Sequence, residues 1–325
     1  MPGSALWAVT SYFNPGGYQR RLHNYREFRR RLSVPLLTVE LTFGEAEPAL
    51  SSDDADIFIR CADGDVMWQK ERLLNLAVGQ LPPSCKHVAW IYCDVVFEDS
   101  DWAARTSDEL GRVPITQPYS RVHHAPRDAD TSALDAQPQG WAQQSIMAQV
   151  RSGVDCAAII RAGGILRSPG QPAIGMAWAA RRELLERHGL YDRCIVGGGD
   201  TVFVCAALGC PEAAIAAHEM NAAQQAAYLR WARPFHAEVQ GHVSHVPGVL
   251  HHLWHGDMAD RQARQRHQRL APHGFEPTID LAQGSHGAWR WATDKPSLKS
   301  YVHDYFWSRH EDGRAGSQNA PATAT

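Results

Sequence analysis

The chain of 325 residues lacks several features that would decide its class at once. No apolar run reaches the ~20 residues of a membrane-spanning helix, and the first residues lack the basic and apolar regions of a secretion signal. With 32 Lys and Arg against 35 Asp and Glu, the net charge is −3. No large positive field is therefore available to hold nucleic acid or an anionic membrane. These absences favour a cytoplasmic protein that binds neither.

Closely spaced pairs of cysteines are also missing. The seven cysteines are an odd number, and no two are spaced as C-x-x-C, which disfavours a disulfide framework and a cysteine zinc site. We therefore expect most of them to be small core residues in a reducing compartment. Apolar residues make up 44% of the chain and charged residues 21%, which excludes a wholly disordered protein.

Strand-like and helix-like patterns alternate through the first third of the chain. Apolar runs predict buried strands, and apolar residues at helical spacing predict amphipathic helices. The strands are predicted at 6–11, 35–41, 55–61 and 87–97, and the helices at 18–32 and 67–78. Such alternation is typical of βαβ units and a mostly parallel sheet. We expect one α/β domain over 1–312 with C-terminal additions, and a disordered tail over 313–325.

The later part of the chain is less regular. A loop rich in Pro, Asp and His is predicted at 120–140, and loops of that length are usually functional or disordered. Further elements are predicted as a strand at 172–180, helices at 181–188 and 212–232, and an extended segment at 243–254.

Two aspartates stand where catalysis or binding could occur. Asp94 ends the apolar run that starts at Val88, and ligands of open α/β sheets bind beyond the carboxyl ends of strands. It could hold a divalent cation there or cap the next turn. Asp200 follows the three glycines at 197–199, which allow the backbone to approach a ligand closely. It could cap the helix that it begins or act as a general base.

Three histidines lie close together at 251, 252 and 255. In an extended segment, His251 and His255 would share one face and His252 the other. Imidazole is a common metal ligand, and Mn²⁺ tolerates a mixed shell of histidine and carboxylate, whereas Mg²⁺ prefers oxygen. The arginines at 261, 264 and 266 follow on a predicted helix, where we expect a solvated face.

The predicted helix at 67–78 carries a further polar pair. Arg72 and Asn75 share one of its faces. A guanidinium suits phosphate oxygens, but a charged helix face also often does no more than contact water.

Taken in order, these motifs resemble the GT-A glycosyltransferases that use nucleotide-diphospho-sugars, in a bacterial group with a degenerate D-x-D motif. The matching segments are YFNP at 12–15, WQKERLLN at 68–75, WIYCD at 90–94, GGD at 198–200 and HLWHG at 252–256. The resemblance implies a Rossmann-like GT-A fold. It also implies transfer of a sugar from a nucleotide-diphosphate sugar, with UDP favoured, to a hydroxyl of a glycan or other acceptor in polysaccharide or glycoconjugate synthesis, with Mn²⁺ or Mg²⁺.

The resemblance also implies roles for particular residues. Asp94 matches the last acid of D-x-D, which binds the metal, and His255 or His252 resembles the histidine that completes the metal shell. Asp200 matches the acid that deprotonates the acceptor in inverting members, so an inverting reaction is favoured. The residues implied at the donor are Thr10, Ser11 and Tyr12 beside the nucleotide, Glu40 near the base or ribose, Arg72 and Asn75 near the diphosphate, and Trp178 on a lining strand.

Tyr92 departs from the family pattern, because it replaces the first acid of D-x-D. A phenol with a pKa of ~10 is a poor ligand for these cations, so we expect weakened metal binding. The Tyr92 hydroxyl could instead hydrogen-bond a ribose. Two other interpretations stay open. One is a GT-A-like protein that binds a nucleotide or glycan without catalysis, and the other is a metal-dependent hydrolase that uses the 251–255 histidines with Asp257.

Overall fold

The computed structural model describes residues 5–131, 134, 140–164 and 169–314. Its strands are β1 (Leu6–Phe13), β2 (Leu36–Leu41), β3 (Ile57–Cys61), β4 (His87–Ile91), β5 (Val95–Phe97), β6 (Ile115–Gln117), β7 (Arg121–His124), β8 (Trp141–Gln144), β9 (Ala177–Arg181), β10 (Val243–His245), β11 (Val249–His252), β12 (Leu281–Gln283) and β13 (Trp289–Trp291). From residue 315 onward, the predicted tail lies outside the described residues.

Helices connect most of these strands. They are α1 (Gln19–Arg31), α2 (Lys70–Val78), α3 (Trp102–Leu110), α4 (Ile146–Arg151), α5 (Cys156–Ile159), α6 (Arg182–His188), α7 (Gly199–Ala207), α8 (Pro211–Ala217), α9 (Ala222–Val239), α10 (Gln265–Leu270) and α11 (Pro296–Trp307). None of the helices in the described part of the chain has the length and apolar character needed to cross a bilayer.

The largest sheet has seven strands in the order β10-β6-β9-β4-β1-β2-β3. All neighbouring pairs are parallel except the two that β9 makes with β4 and β6. Every residue of β1 and β2 is buried, as expected of strands that are covered on both faces. The expected α/β fold with a mostly parallel sheet is therefore confirmed.

Successive side chains of β1 enter two different cores. Trp7 and Val9 pack into the larger core with α2, α6, α7 and α9, whereas Leu6 and Ala8 pack into the second core with α1 and α3. This follows from the twofold alternation of side chains along a strand. Helices therefore cover both faces of the sheet and leave its strand ends available to a ligand.

The chain leaves this sheet at Tyr92, so the prediction of one strand over 87–97 was wrong. The neighbouring strand β9 begins directly after Met176, which has a φ of 75°, and the residue pairing between the two strands ends at Ile91 and Ala177. The following strand, β5, instead pairs antiparallel with β11 in a second sheet of order β5-β11-β7-β8. Asp94 lies at this transfer between the two sheets.

Three other predicted segments are also divided. The loop predicted at 120–140 begins with β7, because residues 121–124 pair with both β8 and β11. The helix predicted at 212–232 is two helices, α8 and α9, which are separated near Glu219 at a positive φ of 48°. The extended segment at 243–254 contains β10 and β11, which belong to different sheets.

The strand order makes the region beside β1 a candidate ligand site. This strand lies between β2 and β4, so successive crossovers run in opposite directions from it. In open α/β sheets, ligands bind at the carboxyl ends of the strands at such a switch point. Thr10 and Ser11 in β1 and the residues that follow β4 therefore converge at one edge of the sheet.

Trp178 provides a test of the core. Its side chain is fully buried, and its indole N–H donates to the Ile174 carbonyl at 2.8 Å. We expect Trp178→Ala to lower the free energy of unfolding by about 3–5 kcal/mol, the usual cost of deleting a buried Trp. Denaturant unfolding measures this, with Trp307→Ala at an exposed tryptophan as the control. Equal small effects of both substitutions would contradict this packing.

Candidate active site

Asp94, His252 and His255 form a buried group of potential metal ligands. Asp94 follows β4, and the two histidines lie at and just beyond the end of β11. The His255 Nε2 lies 3.0 Å from Asp94 Oδ2, the His252 Nε2 lies 3.8 Å from Asp94 Oδ1, and the two Nε2 atoms are 3.1 Å apart. One ligand atom from each residue falls within 4.8 Å of the others.

This donor set fits a divalent cation. Two imidazole nitrogens and a carboxylate oxygen are the mixed shell that Mn²⁺ accepts. The Asp94 Oδ1 is buried and accepts no hydrogen bond within the described part of the chain, a costly state for a carboxylate oxygen. Burial would raise the pKa of Asp94, but His255, His252 and Arg21 lower it well below its usual range. Asp94 is therefore held ionised, as a metal ligand must be.

Both histidines are oriented by partners behind them. The His252 Nδ1 faces the His124 Nδ1 at 3.0 Å, and the other ring nitrogen of His124 lies 2.7 Å from Gln143 Oε1. The His255 Nδ1 lies 2.6 Å from Arg261 Nη2, which donates to it and leaves the proton on Nε2 toward Asp94. A bound cation would displace that proton, and the outer partners would keep the rings in place.

The prediction that His251 and His255 share a face was wrong. The strand β11 ends at His252, and the chain then bends toward Gly256, whose φ is 89°. His252 and His255 converge as a result, whereas the His251 Nε2 faces Glu98 at 3.2 Å. Asp257 is exposed, and among the described residues the group of mutually close ligand atoms contains Asp94, His252 and His255 without Asp257, unlike the group that the hydrolase interpretation requires.

A cluster of arginines adjoins the group formed by Asp94, His252 and His255, which we call the metal-type group. Arg21, Arg261 and Arg309 share one carboxylate, Glu311, at N–O distances of 2.9, 3.3 and 2.6 Å. Burial opposes ionisation of Glu311, but Arg21 and Arg309 hold its pKa well below its usual range. Three guanidinium groups against one carboxylate leave an excess of positive charge beside Asp94.

A second charged group surrounds Asp200, in the first turn of α7. The Lys70 ammonium lies 3.0 and 2.8 Å from the two Asp200 oxygens, and the Tyr92 hydroxyl donates to Asp200 Oδ2 at 2.5 Å. Lys70 also pairs with Glu71 at 3.0 Å. Burial would lower the pKa of Lys70, but Asp200 and Glu71 raise it well above the usual value. Lys70 therefore stays protonated beside Asp200.

Two glycines make room for this group. A Cβ at Gly199 would meet the Glu71 carboxylate at 2.0 Å, and a Cβ at Gly175 would meet the Tyr92 hydroxyl at 2.6 Å. Gly199, the last glycine before Asp200, is thus required by close packing. The Tyr92 hydroxyl, which we expected near a ribose, is directed at Asp200 instead.

One cavity joins both charged groups. Thr10, Ser11, Tyr92, Asp94, Asp200 and His255 all line it, and so do Arg21, Lys70, Arg261, Arg266 and Arg309. Its described lining contains five cationic side chains and two carboxylates, although the whole chain has a net charge of −3. An anionic ligand is therefore favoured in this cavity.

Five residues that were predicted at the donor are engaged elsewhere, and the cavity lining contains none of them. Arg72 pairs with Asp192 at 3.4 Å, and the Asn75 side chain bonds both the N–H and the C=O of Leu190. This face of α2 packs against the chain around 190, and the first residue of the helix, Lys70, reaches the cavity.

The other three also have local partners. The Glu40 carboxylate accepts from the backbone N–H groups of residues 49 and 50 at 2.7 and 3.2 Å. Tyr12 is buried against Tyr25, and burial raises its pKa to about 12. Trp178 is buried in the core beside Phe203.

The sequence did not predict most of the arginines that line the cavity, which we call its positive wall. Arg261, expected on a solvated face, is 4% exposed, and Arg266 lines the cavity, whereas Arg264 is exposed as expected. Burial would raise the pKa of Tyr305, but Arg266 and Arg309, which both donate to its hydroxyl at 3.0 Å, lower it to about 8. The only sequence signal for these residues was their position after the histidine motif.

No protein-family model and no curated protein matches this chain. Among solved structures, it is similar to glucosyl-3-phosphoglycerate synthase from Mycobacterium tuberculosis in complex with Mn²⁺, UDP-glucose and glycerol 3-phosphate. The identity is 13%, with 92% of this chain and 91% of that chain covered and a TM-score of 0.43.

Two further matches are weaker. TarS from S. aureus is 9% identical over 85% of this chain and 41% of that chain, with a TM-score of 0.35. The 4-diphosphocytidyl-2C-methyl-D-erythritol synthase from Anaerococcus prevotii is 11% identical over 76% and 88%, with a TM-score of 0.31. Similarities this low assign no activity, which must be argued from the chain's own residues.

The group formed by Asp94, His252 and His255 predicts that the chain binds Mn²⁺, and the resemblance implies that the ion strengthens the binding of UDP. Asp94→Asn keeps the size of the side chain but removes the charge that a cation requires. We expect Mn²⁺ to strengthen UDP binding to the unaltered chain, and Asp94→Asn to weaken Mn²⁺ binding by more than the roughly 10–100-fold that loss of an outer partner costs. Calorimetry with and without Mn²⁺ measures both. His251→Ala is the control, and an equal Mn²⁺ effect in Asp94→Asn would exclude this group as the metal centre.

Proposed function

We propose that this protein is a GT-A-type glycosyltransferase that moves a sugar from a nucleotide-diphosphate sugar, with UDP favoured, to a hydroxyl of an acceptor. One observation supports this most strongly. Asp94 and His255 line the same cavity as Asp200, at the switch point of a mostly parallel sheet. Such a transfer needs a group that can hold a cation and a base that can activate the acceptor, and candidates for both line this one positive cavity.

The departing nucleoside diphosphate gains negative charge as the anomeric C–O bond breaks. Arg21, Arg261 and Arg309 adjoin Asp94, and guanidinium groups suit phosphate oxygens in both geometry and charge. Because Glu311 holds these side chains in place before the donor arrives, little reorganisation is needed when charge develops. A Mn²⁺ or Mg²⁺ ion at Asp94, His255 and His252 would supply further positive charge to the phosphates.

Asp200 is the proposed base for the acceptor hydroxyl. Its contacts with Lys70 and Tyr92 stabilise the ionised form, which a general base requires, and fix the direction of its oxygens. An inverting reaction is favoured, because it needs a base that activates the acceptor. Tyr92 thus acts on the base side of the cavity, although its sequence position resembles that of a metal ligand.

The same contacts favour a second candidate function, a GT-A-like protein that binds its ligand without catalysis. The Lys70 ammonium and the Tyr92 hydroxyl both donate to Asp200, and donation to a carboxylate makes it less basic. NMR of a bound nucleotide sugar separates the two functions. An enzyme releases free sugar slowly by hydrolysis, whereas a pure binding protein releases none.

The donor can be found without knowledge of the acceptor. Nucleotide sugars are tested singly by thermal shift with and without Mn²⁺. A ligand that binds only the folded protein raises its apparent stability by mass action. The correct donor should therefore raise the melting temperature more than the nucleotides that do not bind.

The role of Asp200 is tested by Asp200→Asn, which keeps its size and removes its basicity. We expect turnover to fall roughly 10²–10⁴-fold while donor affinity persists, since general-base catalysis contributes about that factor. Steady-state kinetics and donor calorimetry measure the two effects. Asp257→Asn, at an exposed acid, is the control. Normal turnover in Asp200→Asn would exclude it as the base.

A further inference from the structure

Three cysteines, of which Cys205 and Cys210 are near in sequence and Cys156 is distant, meet outside the cavity. Cys156 begins α5, Cys205 lies in α7, and Cys210 directly precedes α8. One sulfur atom from each falls within 4.8 Å of the other two, and none of the three forms a disulfide. No C-x-x-C spacing indicates this cluster, and two of its members, Cys156 and Cys205, are also buried core residues, as most of the cysteines were expected to be.

The local backbone brings the sulfurs together. After α7 the chain turns at Gly209, whose φ is 74°, and the Cys210 N–H donates to the Cys205 carbonyl at 2.8 Å. The start of α5 is fixed by Asp155, whose carboxylate accepts from the Ala158 N–H at 2.7 Å. Each thiol is therefore held by a backbone that is ordered independently of the cluster.

The spacing and chemistry of the cluster suit a metal that prefers sulfur. With metal–sulfur bonds of about 2.3 Å, three thiolates around one ion lie roughly 4 Å apart. The three sulfurs are already grouped on that scale. Thiolates select soft or borderline ions such as Zn²⁺ and Cu⁺ over Mg²⁺ or Mn²⁺. Cys156 and Cys205 are buried while Cys210 is partly exposed, which gives an ion a route of entry.

We propose that Cys156, Cys205 and Cys210 form a binding site for a thiophilic metal ion of the Zn²⁺ and Cu⁺ class. The site is separate from the Asp94, His252 and His255 group and does not depend on the proposed transferase function.

Hydrogen bonds also join the three thiols. The Cys156 and Cys205 thiols lower the pKa of Cys210, whereas hydrogen bonds to the other two, together with burial, raise the pKa of Cys205. Binding of a metal ion to the thiols would release their protons. Among the charged groups nearby, Asp155 raises the pKa of Cys210 and Arg161 lowers it.

A metal here would connect two parts of the cavity wall. The helix α7 carries Asp200 in its first turn and Cys205 five residues later, about 7–8 Å along the helix axis. The segment that begins at Cys156 continues to Gly164, which lines the cavity. An ion shared by Cys156 and Cys205 would fix this segment against the helix that carries Asp200.

Titration of the full, reduced and chelator-treated chain with Cd²⁺ tests the site directly. Cd²⁺ bound to thiolates gives an ultraviolet charge-transfer band, which carboxylate and imidazole ligands do not produce. We expect a band that saturates at one equivalent of Cd²⁺, and competition by Zn²⁺ that removes it. The band should be lost in Cys210→Ser, the variant at the most exposed of the three positions, and in Cys156→Ser.

Two controls separate this site from the rest of the molecule. Cys85→Ser, at a buried thiol outside the cluster, should keep the band, and so should Asp94→Asn. No saturable band in the unaltered chain would overturn the proposal, whether or not the variants fold. An undiminished band in folded Cys210→Ser would also overturn it. Neither result would bear on the transferase function, since Asp94 and Asp200 are not involved.

Discussion

A buried charge, the carboxylate of Asp94, is the constraint on which the rest of the site depends. An ionised carboxylate in a protein interior is costly unless it is paired with cations or hydrogen-bond donors. His255 supplies one partner and Arg21 adds a favourable field, but Oδ1 is left without a hydrogen bond among the described residues. A divalent cation bound here would satisfy both this oxygen and the imidazole nitrogens.

Backbone structure keeps this charge in place from two directions. The Leu253 N–H donates to the Asp94 carbonyl at 2.8 Å, which joins the end of β11 to the transfer point between the sheets. A Cβ at Gly256 would come within 3.0 Å of the backbone at 309–311, so only glycine lets the C-terminal segment approach. That approach places Glu311 among its arginines. The same backbone contacts therefore hold both the metal-type group and the arginines of the positive wall in place.

Sequence patterns predicted the parts of the site that are fixed by sheet architecture. Asp94 follows an apolar run that predicts a buried strand. Because the carboxyl ends of parallel strands meet at one edge of the sheet, its location near a ligand site could be predicted. The direction of the Arg72 side chain could not be predicted, because it depends on an ion pair with Asp192, which is distant in sequence. The pairing of His252 with His255 required knowing where β11 ends. The cysteine cluster has no C-x-x-C spacing to predict it, since Cys156 reaches Cys205 and Cys210 only through folding.

The central claim is that Asp94, His252 and His255 hold a cation that also contacts the donor's phosphates. Pulsed electron paramagnetic resonance of Mn²⁺ bound to the full chain with UDP tests it most directly. We predict nitrogen couplings from the two imidazoles and phosphorus couplings from the diphosphate in the same spectrum. Phosphorus couplings without nitrogen, as for Mn²⁺ bound to free UDP, would contradict the account.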